Sequence, residues 1–324
     1  MTVEEWARKI QARDRRSVAR AITAIESGDA ASIPLLKILF RSGSRAEVIG
    51  ITGAPGAGKS TLVERLAASY RASGRRAGIL AVDPTSSLSG GAILGDRIRM
   101  QRLATDEGIY IRSMATRGHL GGLAFATEDA VTVLEAAGSD VVLVETVGVG
   151  QDEIEIARLA DTTVLLLVPG MGDDVQTLKA GVMEIADLFV VNKADRAGAD
   201  RLEREITSML SIAPRQDGWQ TPVVRTTATT GEGVGALRQA LDGFRAFCAQ
   251  TPLGKRRELE KWRERLLAML KQAVFARIVG PRLSAGLVDE LAGEIVARRA
   301  DPHSAVEELI NKLEARDERR ETSL

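Results

Sequence analysis

The chain has 324 residues, of which 44% are hydrophobic and 27% charged, so it has the composition of a globular protein and the length for one large or two modest domains. Its 44 basic and 44 acidic side chains balance, which argues against nucleic acid or an anionic membrane as a partner. The single cysteine, Cys248, excludes an internal disulfide framework, and two histidines far apart in sequence disfavour a transition-metal site.

The N-terminus is charged from its fourth residue, unlike a signal peptide, and no apolar run approaches the roughly 20 residues of a membrane helix. We therefore expect a cytoplasmic protein, although an organellar protein without its transit peptide would have the same appearance. Residues 1–44 are predicted to form a helical arm, because Trp6, Ile10 and Ile22 recur in partial helical register before a break near Gly28. The pattern indicates that this arm packs against the main domain and has a structural role.

Residues 53–60, GAPGAGKS, match the phosphate-loop pattern G-x-x-x-x-G-K-[ST] at every fixed position. The motif follows an apolar stretch that is typical of a buried strand and precedes a helical run. Its glycines let successive backbone N–H groups turn toward a polyphosphate, and the N-terminus of the following helix adds positive potential. We expect Lys59 to reach the β- and γ-phosphates and Ser60 to ligate Mg²⁺. The predicted phosphate-binding residues are Gly53, Ala54, Pro55, Gly56, Ala57, Gly58, Lys59, Ser60 and Thr61.

Residues 45–250 alternate between strand-like and helix-like segments. The intervening segments are long enough for crossover helices, so we predict an α/β P-loop NTPase domain with a mostly parallel sheet and helices on both faces. Ligands of such sheets bind at the carboxyl ends of the strands. The predicted strands are Val48 to Thr52, Ala77 to Val82, Ile109 to Arg112, Val141 to Glu145, Thr163 to Val168, Leu188 to Asn192 and Pro222 to Arg225.

Acidic residues follow two of these strands. Asp83 ends the second strand, where a carboxylate is well placed to hold Mg²⁺ or its waters, and Asp96 lies beyond the Gly-rich loop that follows it. Capping of a turn or helix is the alternative role for both aspartates. Glu145 ends the fourth strand, with Gly148 three residues later, an arrangement that lets a backbone N–H meet a γ-phosphate while the acid addresses the metal through water.

The fourth-strand motif differs from that of many small GTPases. The acid is Glu145 where Asp is usual, and Val149 stands where a water-positioning Gln often follows the glycine. Gln151 is an alternative candidate for that role. We therefore predict slow intrinsic hydrolysis that depends on a partner.

The sixth strand is followed by the tetrapeptide NKAD at residues 192–195. Asp195 can accept two hydrogen bonds from the N1-H and the exocyclic amine of guanine, a pair of donors that adenine does not present together. Asn192 would address the other edge of the base, and Lys193 would lie over its plane. The loop predicted to back the guanine contains Thr227, Ala228, Gly231, Glu232 and Gly233.

Residues 251–324 are predicted to form three helices. Leu259, Trp262, Leu266, Leu270 and Val274 form an apolar stripe on the first, and Val306, Leu309, Ile310 and Leu313 form one on the last. A break is expected at Gly280-Pro281, and Asp301-Pro302 has the form of an N-cap followed by a first-turn proline. The stripes must be buried either against their own core or against a second molecule.

The combination of motifs resembles the MeaB/ArgK/MMAA family of P-loop GTPases over essentially the whole chain. The segments that carry the resemblance are GAPGAGKS, VDPTSSLSGGAILGDRIRM, RGHLGGLA, ETVGVGQDEIEIA, PGMGDDVQTLKAG, NKAD and GEG. It implies a GTP-hydrolysing chaperone of the adenosylcobalamin-dependent methylmalonyl-CoA mutase. In that family, GTP hydrolysis gates transfer of adenosylcobalamin from an adenosyltransferase to the mutase, and the chaperone also protects or reactivates the mutase.

The resemblance also implies roles for individual residues. Lys59, Asp83, Asp96 and Glu145 become catalytic residues; Ser60 and the three acids form the Mg²⁺ site, and Asn192 and Asp195 read the guanine. The loops that contain Asp96 and Gly148 become nucleotide-sensing switches. Residues 170–179 become a mobile loop that couples the nucleotide state to the mutase, and the C-terminal helices form a homodimer.

Two other functions would also use a phosphate loop. Related GTPases insert nickel, but they carry His-rich tracts or cysteine clusters that this chain lacks. A P-loop kinase of a small molecule or a transport protein is disfavoured by NKAD. A motif that recognises guanine is more typical of a GTPase switch than of a kinase that uses the nucleotide as a phosphate donor. Turnover of GTP to GDP and free phosphate, with no phosphorylated product, distinguishes a GTPase from a kinase. The assignment of methylmalonyl-CoA mutase as the client rests on the family resemblance alone.

Overall fold

The computed structural model describes residues 1–83, 103, 105–115, 122–146, 152–170, 185–212, 215–283 and 285–321. The strands are β1 (Glu47–Gly53), β2 (Ala77–Asp83), β3 (Ile109–Ala115), β4 (Val141–Thr146), β5 (Thr162–Leu167), β6 (Leu188–Asn192) and β7 (Val223–Thr226). The α-helices are α1 (Val3–Gln11), α2 (Arg15–Glu26), α3 (Ser32–Ser42), α4 (Lys59–Ala72), α5 (Gly122–Ala136), α6 (Asp152–Leu159), α7 (Ala199–Ile212), α8 (Val234–Gln250), α9 (Pro252–Val274), α10 (Ala285–Val296) and α11 (Pro302–Glu321).

The seven strands form one sheet in the order β3-β2-β4-β1-β5-β6-β7, and every pairing is parallel. All seven predicted strands are present, with bounds that differ by a few residues at most. Every residue of β1, β4, β5 and β6 is buried, as the continuous apolar runs in their sequences require when helices cover both faces. The predicted α/β class is therefore confirmed.

Helices cover the two faces of the sheet with separate apolar clusters. Residues of α4 and α8, among them Leu66 and Phe244, pack on one face. The N-terminal helices pack on the other face with α5 and α6, through residues such as Ile22, Leu39 and Leu134. The arm thus completes the core rather than standing apart from it, as its apolar register predicts.

Polar contacts add to this packing of the N-terminal arm. The indole N–H of Trp6 donates to the carbonyl of Ser17 over 3.0 Å, which joins α1 to α2. Arg112 on the edge strand β3 forms an ion pair with the buried carboxylate of Glu26 on α2. Because Glu26 is almost fully buried, loss of its arginine partner would leave an unpaired charge in the core.

The first turns of α9 are joined to the amino-terminal edge of the sheet by ion pairs. Arg257 and Arg215 both pair with Asp187, which precedes β6 and is 1% exposed. The Asp187 carboxylate also accepts from the backbone N–H of Thr163 over 3.0 Å. On the same helix, Glu258 pairs with Arg45. These bonds lie on the opposite edge of the sheet from the phosphate loop.

Contacts divide the chain into two compact units, Met1–Lys261 and Trp262–Leu324. The second unit contains the rest of α9, a π-helical turn at Phe275–Val279, a 3₁₀ turn at Gly280–Arg282, and helices α10 and α11. The predicted cap at Asp301 is present, because its carboxylate accepts from the backbone N–H groups of His303 and Ser304. The division into functional regions at residues 44 and 250 stays a prediction. No helix within the described ranges has both the length and the apolar character to span a bilayer.

Candidate nucleotide-binding site

An open cleft of about 270 Å³ lies at the carboxyl edge of the sheet, where β1 ends between β4 and β5. Parallel α/β sheets bind ligands at this edge. The cleft is lined by the phosphate loop, the first residues of α4, and the ends of β2 and β4. The lining residues are Pro55, Gly56, Gly58, Lys59, Ser60, Thr61, Ala81, Val82, Glu145 and Thr146.

Two glycines of the phosphate loop are required by geometry. Gly53 ends β1 with φ of +142°, and a Cβ there would lie 2.2 Å from the carbonyl oxygen of Leu166. Gly58 caps α4 with φ of +96°, and a Cβ there would lie 2.5 Å from the side-chain amide nitrogen of Asn192. A larger residue at either position would push the loop away from its neighbouring strands.

The loop holds its lysine inside the curve of its own backbone. Lys59 is 5% exposed, and its Nζ donates to the carbonyl oxygens of Gly53 over 2.6 Å and Ala54 over 2.9 Å. These two carbonyl dipoles orient the ammonium group. The positive charge of Lys59 and the N-terminus of α4 therefore act together on the cleft, which suits a polyphosphate.

Two oxygen-bearing side chains meet beside the lysine. The hydroxyl of Ser60 donates to Oε1 of Glu145 over 2.6 Å, so α4 and the end of β4 are bonded to each other. Glu145 is 8% exposed. Next to it, the hydroxyl of Thr146 donates to that of Thr52 over 3.2 Å, which joins β4 to β1. The pair of hydroxyl and carboxylate oxygens is the type of donor set that Mg²⁺ prefers.

The other predicted metal and switch residues are only partly covered by the described chain. The backbone of Asp83 ends β2 beside Ala115 of β3, at the same edge as Glu145, but its side chain is not described. Asp96, Gly148, Val149 and Gln151 lie outside the described residues, and so does the segment 171–179 of the predicted coupling loop. Their predicted roles stay predictions.

The NKAD segment begins at Asn192, the last residue of β6, and contacts the phosphate loop. The side-chain amide of Asn192 donates to the carbonyl of Ala57 over 2.7 Å, and its oxygen accepts from the hydroxyl of Thr226 and the backbone N–H of Ala228. Lys193 has a φ of +55°, and its Nζ donates to the carbonyl of Gly56 over 2.8 Å. Asn192, predicted to face the base, thus links the phosphate loop to the loop after β7.

The loop after β7 is a tight turn beside NKAD. The backbone N–H of Thr227 donates to the carbonyl of Glu232 over 3.0 Å, and the N–H of Gly231 donates back to Thr227 over 2.9 Å. Gly233 has φ of +78°, and a Cβ there would lie 1.9 Å from the carbonyl oxygen of Arg225. The structure therefore brings this loop, Asn192 and the phosphate loop together. Asp195 is exposed beside them.

Two residues at this site were missed by sequence reasoning. Thr226 is 1% exposed and donates its hydroxyl hydrogen bond to Asn192 over 3.0 Å. Arg65 on α4 donates to the carbonyl oxygens of Ala228 and Thr229. Neither residue belongs to a sequence motif used above. Threonines at strand ends and arginines on helices are too frequent in proteins to indicate a functional role.

A seven-stranded parallel sheet with a phosphate loop leading into α4, together with NKAD beside that loop, defines a P-loop protein of the GTPase type. Residues 18–282 match the family model described as Methylmalonyl Co-A mutase-associated GTPase MeaB. Because that match spans most of the chain, the protein belongs to the MeaB family and is a GTPase. The family resemblance inferred from the motifs is confirmed.

Relatives and a solved structure agree with the family assignment. A Pyrococcus horikoshii protein named "Putative GTPase" is 45% identical over 319 residues, which cover 97% of this chain and 99% of that protein. A mouse protein named Methylmalonic aciduria type A homolog, mitochondrial, is 42% identical over 200 residues, which cover 60% of this chain and 48% of that protein. A crystal structure titled LAO/AO transport system kinase has a TM-score of 0.69 and 28% identity, and covers 97% of this chain and 98% of its own.

Proposed function

We propose that this GTPase binds GTP with Mg²⁺ in the cleft at the carboxyl edge of the sheet and hydrolyses it to GDP and phosphate. The observation that carries this proposal is the hydrogen bond from Asn192 of NKAD to Ala57 of the phosphate loop. The same loop encloses the Lys59 ammonium group and leads into Ser60, which bonds Glu145. Phosphate-binding and base-reading groups are thereby held on one set of strand ends.

Each group has a distinct task in this proposal. The Lys59 ammonium and the backbone N–H groups of the loop bind the β- and γ-phosphates. Ser60 and Glu145 hold Mg²⁺, with Asp83 and Asp96 as further oxygen ligands, directly or through water. The ion, when bound, supplies neutralisation of the charge that builds up on the phosphate oxygens. Asp195 accepts hydrogen bonds from guanine, and Thr227 to Gly233 form the loop behind the base.

The proposed biological role is gating of adenosylcobalamin loading into methylmalonyl-CoA mutase, and protection or reactivation of that enzyme, in the cytoplasm. The family name, which refers to this mutase, supports the role, as does the mouse relative named after methylmalonic aciduria. An adenosyltransferase of the same pathway would supply the cofactor, which this chain meets only through its partners. Val149 stands where many small GTPases have a water-positioning Gln, which supports a GTPase whose hydrolysis depends on a partner protein such as the mutase.

We further propose that the C-terminal helices form a homodimer. Leu266 and Leu270 of α9 are 63% and 59% exposed, and Val306 and Ile310 of α11 are 55% and 48% exposed. Monomeric proteins rarely leave groups of large aliphatic side chains in water. A second copy of the same helices would bury them.

The decisive experiment measures GTP hydrolysis by the purified protein alone and with methylmalonyl-CoA mutase added. The proposal predicts slow turnover that rises when the mutase is present. A rate that is the same with and without the mutase would leave the GTPase in place but remove this client. Isobutyryl-CoA and ethylmalonyl-CoA mutases are then the next proteins to add.

A kinase is the second candidate, since the similar solved structure is named as a transport system kinase. The fate of the γ-phosphate separates the two functions. With γ-³²P-labelled GTP, a GTPase releases all of the label as inorganic phosphate. Label that appears on a protein or small molecule would favour the kinase.

A further inference from the structure

The loop after β7 is held in place by a side chain from the phosphate-loop helix. Arg65 on α4 donates from its Nε to the carbonyl oxygen of Ala228 over 3.1 Å, and from a terminal nitrogen to that of Thr229 over 2.6 Å. The planar guanidinium can reach two successive carbonyl groups at once, which a lysine ammonium cannot do with the same fixed geometry. The two bonds therefore define both the position and the orientation of this short loop.

The same peptide segment is held from its other side. The backbone N–H of Ala228 donates to Oδ1 of Asn192 over 3.1 Å, and the amide nitrogen of Asn192 donates to Ala57 in the phosphate loop over 2.7 Å. Ala228 thus lies between Arg65 at its carbonyl group and Asn192 at its N–H group. The hydrogen bonds and the backbone from Ala57 to Arg65 form a closed ring.

The helix gives this ring its rigidity. α4 begins at Lys59, so Arg65 lies less than two turns after the residue predicted to bind phosphate. The position of Arg65 on the same helix sets the separation between the phosphate loop and the loop predicted to back the guanine. A guanine nucleotide must fit both loops at once.

We infer that Arg65 is a positioning residue for guanine recognition. Arg65 does not itself contact the nucleotide. It holds the Ala228–Thr229 peptide so that guanine is bound at the correct distance from the phosphates. The inference rests on the proposed placement of guanine against this loop. Its consequence is a split between binding and chemistry, since Arg65 affects affinity for guanine but not phosphate cleavage.

The test compares Arg65→Ala with Arg65→Lys and with a matched control, Arg238→Ala. Arg238 on α8 donates to the carbonyl oxygen of Ser69 and the hydroxyl of Ser73, both at 2.7 Å, so it joins α8 to the far part of α4 by the same kind of bond. The Kd values for fluorescently labelled GDP and ADP, and the KM and kcat for GTP, are measured for each variant.

For Arg65→Ala we expect the Kd of GDP and the KM of GTP to rise about tenfold, as for loss of charge-assisted hydrogen bonds, with kcat within about twofold. The preference for GDP over ADP falls by the same factor, because the ADP affinity depends on the phosphate loop alone. Arg65→Lys recovers part of the loss, and Arg238→Ala leaves all of these values within about twofold.

Two results would overturn the role of Arg65: an unchanged GDP affinity in Arg65→Ala, or an equal loss in Arg238→Ala, which would indicate general loosening of α4. Asp195→Asn separates this outcome from failure of the proposed base site. If Asp195→Asn loses guanine preference and Arg65→Ala does not, only the inference about Arg65 is wrong. If neither variant loses it, the guanine site itself lies elsewhere.

Discussion

The nucleotide-binding unit and the C-terminal helices use the same kinds of apolar residue in opposite ways. In the sheet, Leu143 and Leu166 are completely buried between helices. In the second unit, Leu266 is 63% exposed and Ile310 is 48% exposed. The first unit covers its core on both faces of the sheet, whereas the described helices of the second unit leave several large aliphatic side chains exposed. This difference is the basis for the proposed division of roles, with nucleotide chemistry in the first unit and a surface for another molecule in the second.

The largest expected effect tests whether chemistry belongs to the first unit alone. Lys59→Ala removes the buried ammonium group from the phosphate loop, so GTP turnover should fall by about 100- to 1,000-fold, as when a single transition-state donor is removed elsewhere. Steady-state phosphate release measures the loss. Light scattering should give the same molar mass as for the unchanged protein, because Lys59 is far in sequence from the apolar stripes. Dissociation of this variant would show that the two units are not separate in function.

A smaller effect is expected at the base end of the site. Asp195→Asn replaces an acceptor of two hydrogen bonds, so the Kd for GTP should rise about 100-fold while the melting temperature stays within about 2 °C, since Asp195 is exposed. Xanthosine triphosphate, which presents an oxygen where guanine has an amine, should bind this variant better than GTP does. Equal guanine preference in the variant and the unchanged protein would rule out Asp195 as the base reader.

Substitutions on the exposed apolar face of the C-terminal helices should change the oligomeric state and leave GTP turnover unchanged, which is the reverse of the result expected for Lys59→Ala. Leu266→Glu combined with Leu270→Glu places two charges on the exposed face of α9, so a dimer should dissociate into monomers at micromolar concentration. Basal GTP turnover should be retained, because neither residue lies in the nucleotide cleft. Ile212→Glu is the matched control, since Ile212 is 82% exposed but lies at the end of α7 in the first unit. A dimer that survives the double substitution would require another interface.

The smallest effect concerns stability within the first unit. Burial raises the pKa of the Glu135 carboxyl, although its Oε1 accepts a hydrogen bond from the backbone N–H of Ala46. The folded state therefore holds this proton more tightly than the unfolded state, so the contribution of Glu135 to stability falls as pH rises above its ordinary pKa of 4.5. Glu135→Gln keeps the acceptor and removes the charge, and should raise the melting temperature at pH 7 by about 1 to 3 °C.

The pH dependence supplies the control for that prediction. At pH 4 the unchanged protein and Glu135→Gln should have the same melting temperature, because the Glu135 carboxyl of the folded protein is then mostly protonated. Asp106→Asn should lower the melting temperature at pH 7, since hydrogen bonding to Arg71 lowers the pKa of Asp106 and so stabilises its charged form in the folded protein. A lower melting temperature for Glu135→Gln at pH 7 would mean that Arg45 or Lys261 stabilises the charged carboxylate.

The features that could be predicted from sequence are those whose cause is local. The seven strands were predictable because continuous apolar runs suit strands buried on both faces. The phosphate loop was predictable because only glycine tolerates the backbone of Gly53 and Gly58. The cap at Asp301 was predictable because an Asp-Pro pair satisfies the first N–H groups of α11 within three residues.

The partners of individual side chains could not be predicted in the same way. The sequence predicts Asn192 beside the base, but it does not predict that the side-chain amide group of Asn192 bonds Ala57 and Ala228. Asp187 pairs with Arg215 and Arg257, which the sequence offers among many equivalent arginines. The apolar stripe of α9 was recognisable, but its exposure was not, because periodicity shows which residues share a face and not what covers that face.

The sequence by itself determined the fold class, the phosphate loop, the NKAD motif and the family, because each depends on residue types at short and constant spacing. Only the tertiary structure decided that Arg65 on α4 meets Ala228, 163 residues away, and that Ser60 meets Glu145, 85 residues away. These contacts depend on the strand order, which places β4 beside β1 and β7 at the far edge of the sheet. Strand order results from packing of the whole chain, so no local pattern contains it.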